Sequence, residues 1–119
     1  MSRRILVVDD ELDILQAVCG ILEDEGYEVI GCGSGQEAIA ALSSACPSLI
    51  LLDVMMPYMS GYEVLDALRK MPSMDGVPVV LMSAAPPKDK PSAERCTAFL
   101  RKPFNIDKLL ATVKDCAVV

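Results

Sequence analysis

The stretch Ile5-Leu6-Val7-Val8-Asp9-Asp10-Glu11 decides the fold class of this chain. Its apolar residues are continuous rather than alternating with polar ones, which is typical of a strand that is covered on both faces. Similar apolar runs follow at Val29-Ile30, Leu49–Leu52, Val77–Met82 and Phe99-Leu100. The pattern predicts five strands, most of them inside a parallel sheet.

Segments with helical periodicity lie between these strands. The apolar residues between positions 12 and 22 share one helical face, and Gly26 suits the left-handed position that ends such a helix. Ser34-Gly35-Gln36-Glu37 has the form of a capping box that opens a second helix. A third helix is predicted after Gly61, and a last one after Asn105 as its N-cap.

The segment between the fourth and fifth strands is different, because residues 84–98 contain Pro86, Pro87 and Pro91. Proline lacks a backbone donor and restrains the preceding residue, so a helix in this segment should be short or irregular. The remaining alternation of strands and helices predicts an α/β fold with a doubly wound parallel sheet flanked by helices. The length of 119 residues fits one domain over residues 1–119.

Composition disfavours several classes of function. The net charge of −6 disfavours direct binding to nucleic acid, because such binding relies on positive charge. No apolar run is long enough to cross a bilayer, and Ser2-Arg3-Arg4 leads directly into a strand rather than into a signal-like apolar region. The sequence therefore predicts a cytoplasmic protein that does not bind membranes.

The chain has five cysteines and no histidine. The number of cysteines is odd and none are spaced as Cys-x-x-Cys, so neither a zinc site nor a disulfide framework is supported. We interpret the cysteines as buried free thiols.

Two of the predicted strands end in aspartate, the first in Asp9-Asp10 and the third in Asp53. Ligands of doubly wound sheets bind at the carboxyl ends of the strands. Ionised carboxylates near an apolar core need partners, and Mg²⁺ prefers such oxygen ligands. The simpler alternative is that Asp10 only caps the first helix and that Asp53 only ends a strand.

Two further polar residues are predicted at the same edge of the sheet. Ser83 ends the fourth strand, and Lys102 follows the fifth, before Pro103. A hydroxyl can donate to a phosphoryl oxygen, and an ammonium can neutralise it. The combined set suits in-line transfer of a phosphoryl group onto one carboxylate.

The sequence resembles the receiver domain of two-component response regulators from Arg4 to about Val113. The motifs that carry the resemblance are Ile5-Leu6-Val7-Val8-Asp9-Asp10-Glu11, Leu51-Leu52-Asp53-Val54-Met55-Met56-Pro57, Gly61, Leu81-Met82-Ser83-Ala84 and Lys102-Pro103-Phe104. The resemblance implies a flavodoxin-like, five-stranded sheet in the order 2-1-3-4-5.

The resemblance also implies roles for individual residues. Asp53 would be the phosphoacceptor, and Asp10, Asp53 and the Met55 carbonyl would bind Mg²⁺ directly, with Asp9 acting through water. Ser83 and Lys102 would contact the phosphoryl group.

Two positions need separate comment. Phe99 matches the aromatic position of receivers on the fifth strand. In that family the ring swings inward as the hydroxyl residue moves, and Ser83 is the hydroxyl residue here. Ordinary core packing explains Phe99 equally well. Ser60 stands where receivers often have aspartate, which we interpret as a surface change of little consequence.

The implied partners are a sensor histidine kinase or a histidine phosphotransfer protein, with a phosphorylation-dependent dimer as a further option. Receivers promote only their own phosphorylation and dephosphorylation, so we expect a signalling domain rather than an enzyme. One alternative is a degenerate receiver that binds a partner without phosphorylation, which the complete set of site residues disfavours. Another is a haloacid-dehalogenase-like phosphatase, which would need a second acid where Met55 stands.

Overall fold

The computed structural model describes residues 3–84 and 98–116. The prediction of a short or irregular helix between the fourth and fifth strands therefore lies outside the described residues, apart from the flanking positions. Within the described ranges, no helix is both long and apolar enough to span a membrane.

The sheet has the predicted five strands: β1 (Arg4–Val8), β2 (Glu28–Cys32), β3 (Leu49–Asp53), β4 (Val79–Ser83) and β5 (Ala98–Arg101). All neighbouring strands are parallel, and their order is β2-β1-β3-β4-β5. The predicted fold class is confirmed. Strand β4 begins two residues later than the apolar run suggests, although the carbonyl of Pro78 still accepts a hydrogen bond from the Ile50 N–H at 3.0 Å.

The helices are α1 (Leu12–Asp24), α2 (Gly35–Ala45), α3 (Gly61–Arg69) and α4 (Ile106–Cys116), with a short 3₁₀-helix at Pro72–Met74 that was not predicted. The predicted N-caps of α2 and α4 are confirmed. The Ser34 hydroxyl accepts a hydrogen bond from the Glu37 N–H, and the Asn105 side chain accepts one from the Lys108 N–H. Gly26 has the expected positive φ after α1.

Ser60 has a larger role than we expected from the sequence. It is the N-cap of α3, and its hydroxyl accepts a hydrogen bond from the Glu63 N–H at 3.3 Å. A serine satisfies an otherwise unpaired helical N–H as an aspartate would. The replacement of aspartate by serine therefore keeps the cap and is of little consequence, as expected, although the cap itself was not predicted.

The core has two layers, one on each face of the sheet. Because alternate strand residues point to opposite faces, Leu6 and Ile50 pack in the layer of α2 and α3, whereas Val7 and Leu51 pack in the layer of α1 and α4. The interior strands β3 and β4 are buried along their whole length. The sheet therefore holds their carboxyl ends in fixed positions.

The cysteines agree only in part with the expectation of buried thiols. The four in the described ranges are free, but only Cys32 is buried, whereas Cys46 is exposed at the end of α2 and Cys19 and Cys116 are half-buried. Cys96 lies outside the described residues.

Gly61 allows the chain to turn tightly between β3 and α3. A Cβ at this position would lie 2.3 Å from the Asp53 carbonyl oxygen, and the Gly61 N–H donates to the Val54 carbonyl at 2.9 Å. No side chain fits there without a backbone shift. The turn thus fixes the backbone of Asp53 itself.

We expect Gly61→Ala to lower the free energy of unfolding by about 1–3 kcal/mol, the usual cost of overpacking. Gly20→Ala in α1 is the matched control, because a Cβ there meets nothing within 4 Å. That variant should gain about 0.5–1 kcal/mol, since alanine favours the helix. Urea denaturation measures both, and equal stability of the two variants would contradict the steric argument.

Candidate functional site

The sheet brings the predicted site residues together at one edge. Asp9 directly follows β1, and Asp53 and Ser83 are the last residues of β3 and β4. The Lys102 N–H donates to the Ser83 carbonyl at 2.9 Å, which joins the end of β5 to the end of β4. Since all the strands are parallel, these residues share the carboxyl edge, where doubly wound sheets bind ligands.

Asp9, Asp10 and Asp53 form a compact carboxylate cluster. Each offers an oxygen that lies within 4.8 Å of the oxygens of the other two. Asp9 and Asp53 are buried, and Asp10 is half-buried. The N-cap of α1 is Glu11, so the alternative in which Asp10 serves only as that cap is wrong.

Lys102 lies within this carboxylate cluster. Its ammonium is 2.8 Å from Asp9 Oδ2, 3.3 Å from Asp53 Oδ1 and 3.6 Å from Glu11 Oε1. One positive charge therefore faces several negative ones in a mostly buried setting. Within residues 3–84 and 98–116, the side chains neutralise the site only in part.

The second oxygen of the Asp53 carboxylate, Oδ2, differs from the oxygen that faces Lys102. Asp53 Oδ2 is buried and makes no hydrogen bond within the described parts of the chain. Buried polar atoms nearly always have a partner, and each exception needs an explanation. A hard cation or an incoming electrophile at this oxygen would supply one, and the all-oxygen donor set is the one Mg²⁺ prefers.

The family model for the response regulator receiver domain matches residues 5–114. The chain belongs to this family. Among relatives, it is 34% identical to the phosphate regulon transcriptional regulatory protein PhoB of Escherichia coli over 96% of its own length. It spans about half, 51%, of that regulator.

Solved structures agree with this assignment. The receiver superimposes on the chemotaxis response regulator CheY4 of Vibrio cholerae with a TM-score of 0.91 and 34% identity, covering 98% of this chain and 99% of the other. It also matches the response regulator TrrA of Thermotoga maritima in complex with Mg²⁺ and BeF, with a TM-score of 0.85 and 34% identity, covering 96% and 98% of the two chains.

Burial and neighbouring charges shift the pKa of Asp53 and of Lys102 in this receiver. Burial raises the pKa of Asp53 from 3.8 to about 7, and the negative charge of Asp9 adds to this effect, while Lys102 opposes it. For Lys102, burial favours the neutral form, but the hydrogen bond to Asp9 and the charges of Asp53 and Asp9 outweigh it and raise the pKa. Without a cation, ionised Asp53 is thus unfavourable in the folded state.

This shift predicts a pH-dependent stability in EDTA. The pKa of Asp53 is higher in the folded state than in the unfolded state. Its contribution to the free energy of unfolding is therefore fully present below about pH 4 and is lost as the pH rises through about 7. Asp53→Asn removes the cost of ionising a buried carboxylate at high pH. We expect the variant to exceed the wild type in free energy of unfolding by about 1–3 kcal/mol at pH 8, with little difference at pH 4.

Urea denaturation across that pH range measures the difference. Asp75→Asn is the control, because Asp75 is exposed and lies after the 3₁₀-helix, away from the cluster. A constant gap between Asp53→Asn and the wild type at all pH values would contradict the assigned pKa.

The remaining predicted residues occupy different environments. Ser83 is buried at the carboxyl end of β4. Phe99 is half-buried on β5 and packs against the core layer of α2 and α3, which contains its strand neighbour Leu81. Met55 lies two residues after Asp53, with its side chain exposed.

Sequence reasoning gave Glu11 no role of its own at the site. Its carboxylate approaches Lys102, and its N–H donates to Asp9 Oδ1 at 2.9 Å. In the sequence, Glu11 is the third consecutive acidic residue after β1. That position could have indicated a role at the site, but acidic residues are common on the surface of such a chain.

Proposed function

We propose that this receiver accepts a phosphoryl group on Asp53 in an Mg²⁺-dependent reaction. The observation that carries the proposal is the buried Asp53 carboxylate, which lies beside Lys102 and two further aspartates. One of its oxygens has no hydrogen-bond partner among the residues that the structure describes. The donor would be a sensor histidine kinase or a histidine phosphotransfer protein. Incubation with acetyl phosphate and Mg²⁺ should add one acid-stable, base-labile phosphoryl group per chain, measured by intact mass.

The carboxylate cluster suits the metal that this reaction needs. Asp10, Asp53 and the Met55 carbonyl would hold Mg²⁺ directly, and Asp9 would act through water. The ion, when bound, screens the charge between the carboxylate and the incoming phosphoryl group. The solved complex of TrrA with Mg²⁺ and BeF supports this assignment.

The transfer forms one bond and breaks one. An Asp53 carboxylate oxygen bonds to phosphorus while the bond from phosphorus to the donor nitrogen breaks, and the donor histidine keeps the electron pair. Lys102 already lies 3.3 Å from Asp53 Oδ1, so its ammonium is close enough to meet a phosphoryl oxygen. The Ser83 hydroxyl would donate to another phosphoryl oxygen.

The phosphorylated receiver would signal by a conformational change that involves Ser83 and Phe99. Phe99 is only half-buried, so an inward movement of its ring would bury more apolar area. We take residues 1–119 as one receiver domain that acts as a signalling unit, with a phosphorylation-dependent dimer as one form of output.

The two alternative functions are less well supported. A degenerate receiver would not need the half-buried Lys102 beside three carboxylates, since such a site is costly unless a ligand uses it. A haloacid-dehalogenase-like phosphatase would need an acid at position 55, where this chain has an exposed methionine.

A further inference from the structure

The turn between β2 and α2 contacts two loops at the carboxyl edge of the sheet. On one side, the Cys32 carbonyl accepts a hydrogen bond from the Asp9 N–H at 3.1 Å. On the other side, Gly35 packs against Met59, which lies in the loop between β3 and α3. The turn therefore connects the loop after β1 with the loop after β3.

The contact at Gly35 leaves no room for a side chain. A Cβ at this position would lie 2.9 Å from Met59 Cγ, 2.9 Å from Val64 Cγ2 and 3.0 Å from Met59 Cβ. The φ of Gly35 lies outside the left-handed region, so packing and not backbone conformation requires glycine here. Val64 is buried on α3, and the two Met59 atoms lie close to the backbone, so neither neighbour can rotate away easily. An alanine at position 35 would therefore push the loop that carries Met59.

Hydrogen bonds hold the turn itself in place. The Ser34 hydroxyl accepts a hydrogen bond from the Glu37 N–H at 3.1 Å, and the Glu37 carboxylate accepts one from the Gly33 N–H at 3.2 Å. Such bonds at the start of a helix fix the angle at which the chain enters it. The loop after β3 is thus expected to move before the turn does.

The loop after β3 is short and closed at its base by the hydrogen bond from the Gly61 N–H to the Val54 carbonyl at 2.9 Å. Within it, Tyr58 has a φ of +66°, which is unusual for a bulky residue. Such a conformation persists only where the surrounding structure enforces it. The Tyr58 side chain is 94% exposed, so the packing of its neighbour Met59 supports the loop. A displacement of Met59 therefore reaches Met55, four residues earlier in the same closed loop.

We propose that Gly35 is a positioning residue of the metal site that favours Mg²⁺ over Ca²⁺. The inference rests on the proposed function, in which the Met55 carbonyl binds the metal together with Asp10 and Asp53. Because Gly35 lets the loop lie close to the turn, it sets the position of that carbonyl relative to the carboxylates. Mg²⁺ demands near-ideal octahedral geometry, whereas Ca²⁺ accepts flexible geometry with a varying number of oxygens. A displaced carbonyl therefore costs more affinity for Mg²⁺ than for Ca²⁺.

Titration calorimetry of Gly35→Ala with MgCl₂ and with CaCl₂ tests the proposal. We expect the Mg²⁺ affinity to fall about tenfold or more, as for loss of a supporting partner of a metal site. The Ca²⁺ affinity should fall by no more than about threefold. Gly33→Ala is the matched control in the same turn, because a Cβ there would lie 3.7 Å from Leu12 and 3.8 Å from Glu37, at ordinary contact distance. Both affinities of this control should stay within about twofold of the wild type.

A second pair of variants approaches the contact from the loop. Met59→Ala removes the side chain that packs against Gly35 and should lower the Mg²⁺ affinity relative to the Ca²⁺ affinity by about threefold. Met71→Ala is the control, because Met71 is also half-buried against the same core layer but follows α3, away from the metal site. Its ratio of affinities should equal that of the wild type. Circular dichroism tests whether each variant is folded, and Met59→Ala decides the question if Gly35→Ala is not.

An unchanged ratio of Mg²⁺ to Ca²⁺ affinity in folded Gly35→Ala would overturn the proposal, because a merely structural role would alter stability without altering metal selectivity. An equal change of the ratio in Gly33→Ala would overturn it too. Failure of the wild type to bind Mg²⁺ would instead contradict the proposed function. In that case the amide chemical shifts of residues 54–59 in EDTA still test the contact, since they should change in Gly35→Ala and not in Gly33→Ala.

Discussion

Asp53→Asn is expected to abolish phosphorylation by acetyl phosphate in the presence of Mg²⁺. An amide is a poor nucleophile and cannot form the acyl phosphate, whereas the carboxylate of the wild type can. Neither neighbouring aspartate is expected to take over. Asp9 accepts hydrogen bonds from Lys102 and from the Glu11 N–H, and Asp10 lies on the loop rather than at the end of β3.

The control in this assay is a variant that loses one negative charge at a different place. Asp75→Asn removes one exposed carboxylate far along the chain from the site and should be labelled like the wild type. Intact mass after a fixed incubation measures the phosphorylated fraction of each protein. Labelling of Asp53→Asn to the level of Asp75→Asn would refute the assignment of the phosphoacceptor.

The double variant Asp9→Ala with Asp10→Ala is expected to lose Mg²⁺ binding. It removes two of the three clustered carboxylates and leaves Lys102 to pair with Asp53 and Glu11. The affinity should fall at least about 100-fold, because loss of even an outer partner of a metal site costs about 10–100-fold. Titration calorimetry measures the affinity directly.

A double variant of matched charge provides the control. Asp13→Ala with Asp75→Ala also removes two negative charges, but both side chains are exposed outside the cluster. Circular dichroism of both double variants tests whether they are folded. Retained Mg²⁺ affinity in the Asp9 and Asp10 variant would mean that the metal binds elsewhere.

The sheet and its edge could be predicted because several independent signals agree. The runs at residues 5–8 and 49–52 are too continuous for strands that are exposed on one face, and β1 and β3 are indeed buried along those runs. Ser34 and Asn105 stand where helices begin, and both side chains cap a backbone N–H. Parallel strands then bring Asp9, Asp53 and Lys102 together without any further information.

Other features depend on contacts that no local pattern encodes. Tyr58 has a positive φ of 66°, and a tyrosine gives no sign of such a backbone conformation in sequence. The cap at Ser60 was overlooked because the position was judged by its difference from aspartate and not by the helix that follows. The approach of Glu11 to Lys102 joins residues more than 90 positions apart, which only the completed sheet brings together.

The central claim is that Asp53 carries the phosphoryl group, and hydride reduction followed by peptide mass mapping tests it most directly. Borohydride reduces an acyl phosphate to an alcohol and leaves free carboxylates unchanged, so a phosphorylated aspartate becomes homoserine. After incubation with acetyl phosphate and Mg²⁺, we expect homoserine at position 53 and aspartate at positions 9 and 10. Homoserine at position 9 or 10, with position 53 unmodified, would contradict the account.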